Sequence, residues 1–315
     1  MGESEARLAW FQFYDDVATG RRAVNYSISA SPVPTESLDQ IRKILADVSK
    51  LRPLLTYFDI FCRNFADLES SLTQVQADLE VGKYAESDEV TIDHQLLLQQ
   101  RLVNFLNSAV LMVERTTSFV AAGDKGKLEK LKKFLRKVHS AHASYQFCSE
   151  LRNYSQHQDL PINNFGMDWA IQSTGAVQAE FELSLDFERL VETEKKLIKI
   201  CSENFPSRAN ISLVPELEEY HAICCEIFLY FVSGKLPPLQ KGHLLRKEIL
   251  KKRPEDHEGH VAVLWQGPIP DANGSGSFDG TFLELSELDI WGRRLKLASE
   301  ASRGLFAGFD EVTSE

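Results

Sequence analysis

From Leu38 to Leu151 apolar residues return every three or four positions in three successive stretches, a periodicity that belongs to long amphipathic helices. The first stretch carries Ile41, Leu45, Val48, Leu51, Leu55, Phe58, Phe61, Phe65, Leu68 and Leu72. It reads as one long helix or two, kinked at Pro53, with Ser37 and Gln40 at capping-box spacing ahead of it. A connection over 82–92 follows. Asp93 then opens the second stretch, with Leu96, Leu97, Val103, Leu106, Val110 and Val113, which closes at Ala121-Ala122-Gly123. The third opens at Asp124 and carries Leu128, Leu131, Leu135, Val138, Tyr145, Cys148 and Leu151, and it must end before Pro161.

The period changes to two in residues 176–185. Val177, Ala179, Phe181, Leu183 and Leu185 alternate there with polar neighbours, as in a half-buried strand. Trp169 and Ile171 precede it across Ser173-Thr174-Gly175, which predicts a β-hairpin. Asp186 caps a further helix with Phe187, Leu190, Val191, Leu197, Ile198 and Cys201. Pro215 opens another that runs to Gly234, and a basic helix spans 239–253. Short strands are expected at 260–265 and 281–285, around a loop at 267–280. Residues 1–34 end in Ser31-Pro32-Val33-Pro34 and read as an irregular N-terminal arm. The expected organisation is mostly α: the arm 1–34, a helical domain 35–165 forming an antiparallel bundle, a β-hairpin plus helices at 166–254, and an appended C-terminal α+β region at 255–315.

The length of 315 residues suits about two domains. A net charge of −11 excludes whole-molecule attraction to nucleic acid or to an anionic membrane. The one basic window is 101–150, with nine Lys and Arg against four Asp and Glu. Five cysteines (Cys62, Cys148, Cys201, Cys224, Cys225) form no CxxC pair, which fits reduced thiols. The N-terminus lacks a basic region followed by an apolar run, and the apolar stretch Ile223–Val232 is too short for a bilayer. A soluble cytoplasmic protein without a membrane partner is expected.

The segment Glu150-Leu-Arg-Asn-Tyr-Ser-Gln-His-Gln-Asp-Leu-Pro161 concentrates the chemistry. Arg152 continues the row Leu131, Val138, Tyr145 at seven-residue spacing, so a charge sits where an apolar side chain belongs. Such a charge must be paired, bound to an anion, or placed at an interface. His157 falls near the helix end, where the macrodipole favours its protonated form. On a straight helix Asn153 and His157 share a face, whereas Arg152 and His157 lie about 140° apart, diverging unless the helix ends or a second subunit completes the site. An arginine to hold phosphate, a histidine able to exchange a proton and an amide to orient them suit a phosphodiester site.

A long helix ending in Arg152-Asn153-Tyr154-Ser155-Gln156-His157 resembles the HEPN superfamily, including its bacterial ribonucleases and defence proteins, whose signature is Arg, four to six residues, then His. The resemblance spans residues 35–165. It implies a HEPN-like helical bundle and a metal-independent endoribonuclease, with the site built at a homodimer interface, in a toxin or antiviral-defence setting. In that implied chemistry a base near the 2′-hydroxyl lets it attack the adjacent phosphate. His157 serves as acid or base, Arg152 holds the phosphate, and Asn153 orients the others. RNA is the implied substrate, with an inhibitory or activating protein as a further partner.

Lys125, Lys127, Lys130, Lys132, Lys133, Arg136 and Lys137, just upstream, are the candidate RNA-binding residues. They equally fit the solvated face of an ordinary helix. His257 and His260, with Asp256 nearby, could mimic metal ligands, but two such residues in a loop with no third partner are a weak signal, so no metal and no cofactor is expected. Two other readings stay open: a non-catalytic module that binds RNA or a nucleotide, and a helical interaction protein in which the motif pins a helix end.

Overall fold

The computed structural model describes residues 7–16, 21–33, 35–82, 88–123, 125–157, 161–162, 164–171, 177–186, 195–205, 210–233, 236–253, 261–265, 280–283, 293–294, 296, 298 and 300–301. Among these the chain is mostly helical, with eight helices and two small antiparallel sheets. It divides into two units, residues 1–53 with 232–296 and residues 54–231 with 297–315.

In the first unit the expected irregular arm is a β-hairpin. β1 (Arg7–Asp16) pairs antiparallel with β2 (Arg21–Pro32), Trp10 opposite Ser27 and Phe13 opposite Val24. Two strands alone are marginal in water. The third is β6 (Val261–Trp265), set against β1 with Trp10 opposite Ala262, and β7 (Gly280–Leu283) completes the order β2-β1-β6-β7. Trp10 is fully buried. Pro32, which suggested irregular chain, is the last residue of β2, and Pro34 lies outside the described residues. Helices α1 (Thr35–Ser49) and α8 (Leu236–Lys251) pack together in this unit. Pro237 and Pro238 occupy the first turn of α8, where a missing N–H costs nothing.

The second unit holds α2 (Arg52–Glu80), α3 (Asp88–Gly123), α4 (Lys125–Ala141), α5 (Ala143–His157), α6 (Lys195–Asn204) and α7 (Leu213–Ser233). Pro53 does not kink a long helix. It stands at the second position of α2, and α1 has already ended. Asp93 is no cap either, because α3 starts five residues earlier at Asp88. The third expected helix is two: α4 and α5 meet at His142, which still donates its N–H to the Val138 carbonyl and accepts from Gln146. The helical row therefore survives the junction. Asp124, Phe187, Leu190 and Val191 lie outside the described residues.

α7 is the centre of this unit. Every residue from Ala222 to Phe228 is buried, the mark of a helix surrounded on all sides. Phe58 of α2 stacks on Phe228 at 3.8 Å, and Phe61 and Phe65 of α2 meet Phe105 of α3 at 5.6 and 5.0 Å. Leu131, Phe134 and Val138 of α4 close over Ile223 and Ile227. α3 is long and apolar enough, by length and composition, to cross a membrane, a test that core helices of soluble proteins also pass. Leu98, Leu102, Phe105, Leu106, Ala109 and Met112 of α3 are fully buried within the protein.

The small sheet of this unit has the order β3-β4-β5, from β3 (Asn164–Ile171), β4 (Val177–Asp186) and β5 (Asn210–Ser212). The expected hairpin is present, with Trp169 opposite Ala179 and Phe165 opposite Leu183. At the end of β4 the in-out alternation gives way to burial on both faces. Ser184 is fully buried there and accepts a hydrogen bond from Asn164 Nδ2 at 2.8 Å.

Candidate functional site

The motif residues sit on the second half of α5, fastened to α3. Leu151 and Tyr154 are buried and set the inward face. Arg152 and Asn153 follow them round the helix and are half-buried. The Arg152 guanidinium donates through Nε to Asn107 Oδ1 of α3 at 3.1 Å and through one terminal nitrogen to Asn153 Oδ1 at 3.3 Å. Asn153 passes the chain on, donating from Nδ2 to Glu150 Oε2 at 3.1 Å. Gln156 donates to the same Asn107 oxygen at 2.9 Å.

This arrangement decides what the arginine can do. A guanidinium has five N–H groups, and two are used here. The remaining three have no partner among the described residues, and no carboxylate there pairs with the charge. Among the described residues Arg152 is held by neutral amides, which orient it without neutralising it. A planar guanidinium with N–H groups to spare is the donor that takes a carboxylate or phosphate through two parallel bonds.

His157 is the last residue of α5 and is exposed, with no hydrogen bond or ion pair among the described residues. Because α5 stays helical through His157, the two side chains leave it about 140° apart and about 7.5 Å along the axis. Within one copy they do not converge. Asn153 is brought to Arg152; His157 is brought to neither.

The segment after the motif is clamped to α3 as well. Gln99 is buried, donates from Nε2 to the Ile162 carbonyl, and accepts from the Ile162 N–H at 3.1 Å. One side-chain amide thus replaces a strand partner for a buried backbone. Pro161 and Ile162 are buried in consequence.

All seven basic residues of α4 are exposed. Leu131, Phe134 and Val138 take the opposite side, so Lys130, Lys132, Lys133, Arg136 and Lys137 spread across the solvated face. Lys132 is joined to Glu129 at 3.2 Å. Asp256, His257 and His260 lie outside the described residues, and among the described ones no group of three His, Cys, Asp or Glu side chains is placed to hold a metal. All five cysteines are free thiols.

Sequence reasoning missed Asn107, Gln156 and Glu150. Asn107 had a signal: it stands four residues after Val103 and three before Val110, at a stripe position where a polar side chain needs a partner. A second polar cluster was also missed. Ser144, at the start of α5, is buried with its Oγ 2.6 Å from Glu216 Oε2 and 2.8 Å from Glu219 Oε2 of α7. Compared with family models, curated proteins and solved structures, the chain matches none.

Proposed function

We propose that the chain is a metal-independent endoribonuclease of HEPN type, acting as a homodimer in the cytoplasm. The observation that carries this reading is Arg152, a half-buried guanidinium with open N–H groups and no counter-charge among the described residues. A cation so placed gains most by taking an anion, and a phosphodiester offers the matching pair of oxygens. Asn153, locked between Glu150 and Arg152, fixes the direction of the fork.

In the proposed reaction a base takes the proton of the ribose 2′-hydroxyl, and its oxygen bonds to the adjacent phosphorus. The bond to the 5′-oxygen breaks, and that oxygen leaves with a proton from an acid. The products are a 2′,3′-cyclic phosphate and a 5′-hydroxyl. His157 supplies acid or base chemistry, and Arg152 stabilises the charge that grows on the phosphoryl oxygens. Since Arg152 and His157 diverge on α5, the Arg152 of one copy works with the His157 of another. The exposed basic face of α4 gathers RNA in a salt-dependent manner. A toxin or antiviral effector, released or held by a protein partner, is the setting this chemistry suits.

The shared use of Asn107 by Arg152 and Gln156 favours a second reading, in which the cluster fastens α5 to α3 and the chain binds RNA or a protein without cutting. Incubation of a mixed RNA pool in EDTA separates the two. Cutting by the unaltered protein that Arg152→Ala and His157→Ala each abolish supports the ribonuclease; cutting that persists in both variants removes the site.

A further inference from the structure

Two stacked ring pairs fix the register between α2 and α7. Phe58 lies on Phe228 and Phe65 on His221, with ring centroids 3.8 and 3.9 Å apart. Numbers that rise along α2 fall along α7, so the residues between Phe58 and Phe65 face those between His221 and Phe228. Cys62 stands in the first interval, and Cys224 and Cys225 stand in the second. The side chains meet accordingly, and a hydrogen bond joins the Cys62 and Cys225 thiols. His221 ties the same level together. Its Nε2 lies 3.6 Å from Cys225 Sγ, and its ring is 5.1 Å from that of Phe61, which precedes Cys62 in the chain. Cys224 is engaged elsewhere, in a hydrogen bond with Tyr220.

The two thiols differ in access. Cys62 is half-buried, whereas Cys225 is buried. The hydrogen bond to Cys62 and then burial push the Cys225 thiol up, so it keeps its proton. A small oxidant entering from solvent therefore meets Cys62 first, and Cys225 is the thiol in contact with the oxidised sulfur. A bridge between Cys224 and Cys225 is the wrong alternative, because neighbours on a helix point about 100° apart and could join only by breaking α7.

We propose that Cys62 and Cys225 form a peroxide-sensitive pair that closes to a disulfide and clasps α2 to α7. Hydrogen peroxide gives one oxygen to the Cys62 sulfur as its O–O bond breaks, leaving a sulfenic acid and one water. The Cys225 sulfur then bonds to the Cys62 sulfur, the S–O bond breaks, and hydroxide leaves with the Cys225 proton as a second water. The thiol pair has lost two electrons, and peroxide has gained them. A thiol reductant reverses the bond. Closing the chain between α2 and α7 into one loop restricts the unfolded state. The pair is independent of the ribonuclease reading, since neither residue belongs to the Arg152 cluster.

The test treats the full reduced chain with hydrogen peroxide, blocks the remaining thiols with N-ethylmaleimide and maps unreduced tryptic peptides by mass spectrometry. Free thiols should fall from five to three, with the Cys62 peptide joined to the one that carries Cys225. Cys62→Ser and Cys225→Ala should each abolish the bridge, whereas Cys224→Ala and Cys201→Ala should keep it. Mapping of the unaltered chain needs no variant to fold, and circular dichroism checks those that are made. The bridged protein should unfold at a higher urea concentration than the reduced one, and dithiothreitol should return the midpoint. Five free thiols after peroxide, a bridge that survives Cys225→Ala or joins two copies, or a bridged chain with an unraised midpoint overturns the proposal.

Discussion

Arg152 on α5 and Asn107 on α3 are joined by a single hydrogen bond, Nε to Oδ1 at 3.1 Å, and that bond aims a guanidinium without cancelling its charge. Asn107→Ala removes the acceptor for Arg152 and for Gln156. It should lower stability by about 1 kcal/mol and loosen the fork. Asn107→Asp keeps the shape but adds a carboxylate that pairs with Arg152. On the proposed function RNA affinity should fall about tenfold in the aspartate variant, more than in the alanine one, as read by fluorescence anisotropy at fixed salt. An aspartate variant that binds RNA as well as the unaltered chain contradicts the role given to Arg152.

The clamp at Ile162 gives a sharper stability test. Gln99→Ala leaves a buried N–H and a buried C=O without their partner, at a cost of roughly 2 kcal/mol or more. Gln99→Glu can still accept from the Ile162 N–H but has no N–H to donate, so it should be destabilised too. Urea midpoints measure both. Gln99→Ala at the unaltered midpoint is the adverse result.

Ser144 has one hydroxyl proton and two carboxylate neighbours, Glu216 and Glu219. Ser144→Ala removes the hydroxyl between them, which donates to the buried Glu216. A loss of about 1–3 kcal/mol is expected. Ser144→Ala combined with Glu219→Gln should recover part of it, because the amide can donate where the carboxylate cannot. Thermal denaturation of the two variants decides the matter.

His221 of α7 is stacked on Phe65 and sits 3.6 Å from Cys225 Sγ, and burial pushes its pKa down to about 4. A lowered value in the folded state means the unfolded chain binds the proton first. The full contribution to stability is therefore present above about pH 6.5 and is lost as pH falls from there through 4. The loss is on the order of 3 kcal/mol over that window. His221→Phe should show less acid destabilisation between pH 7 and pH 4.5 than the unaltered protein. Equal pH slopes for the two would contradict the account.

Much of the helical unit can be read from residues alone. Phe58, Phe61, Phe65 and Leu68 recur at helical spacing, and their burial follows from it. The β4 alternation is equally plain in residues 177–185. What could not be read is what depends on distant partners. β1 is a strand because Val261 and Ala262 lie beside Phe11 and Trp10, a pairing with no local trace. α7 belongs at the centre of the unit that holds α2–α5, yet a strand period and a helix intervene in sequence. For the site, Arg152, Asn153 and His157 were visible as a pattern, whereas the role of Asn107 required knowing how α3 and α5 cross.

The most direct test of the central claim mixes two dead variants. Arg152→Ala and His157→Ala proteins, each folded and each silent on RNA in EDTA, are unfolded together and refolded as a random population of dimers. If each site takes Arg152 from one copy and His157 from the other, half the dimers carry one intact site of two, and about a quarter of the unaltered activity returns. Silence in the mixture contradicts a site shared between copies, and undiminished cutting by either variant alone contradicts the assignment of that residue to the chemistry.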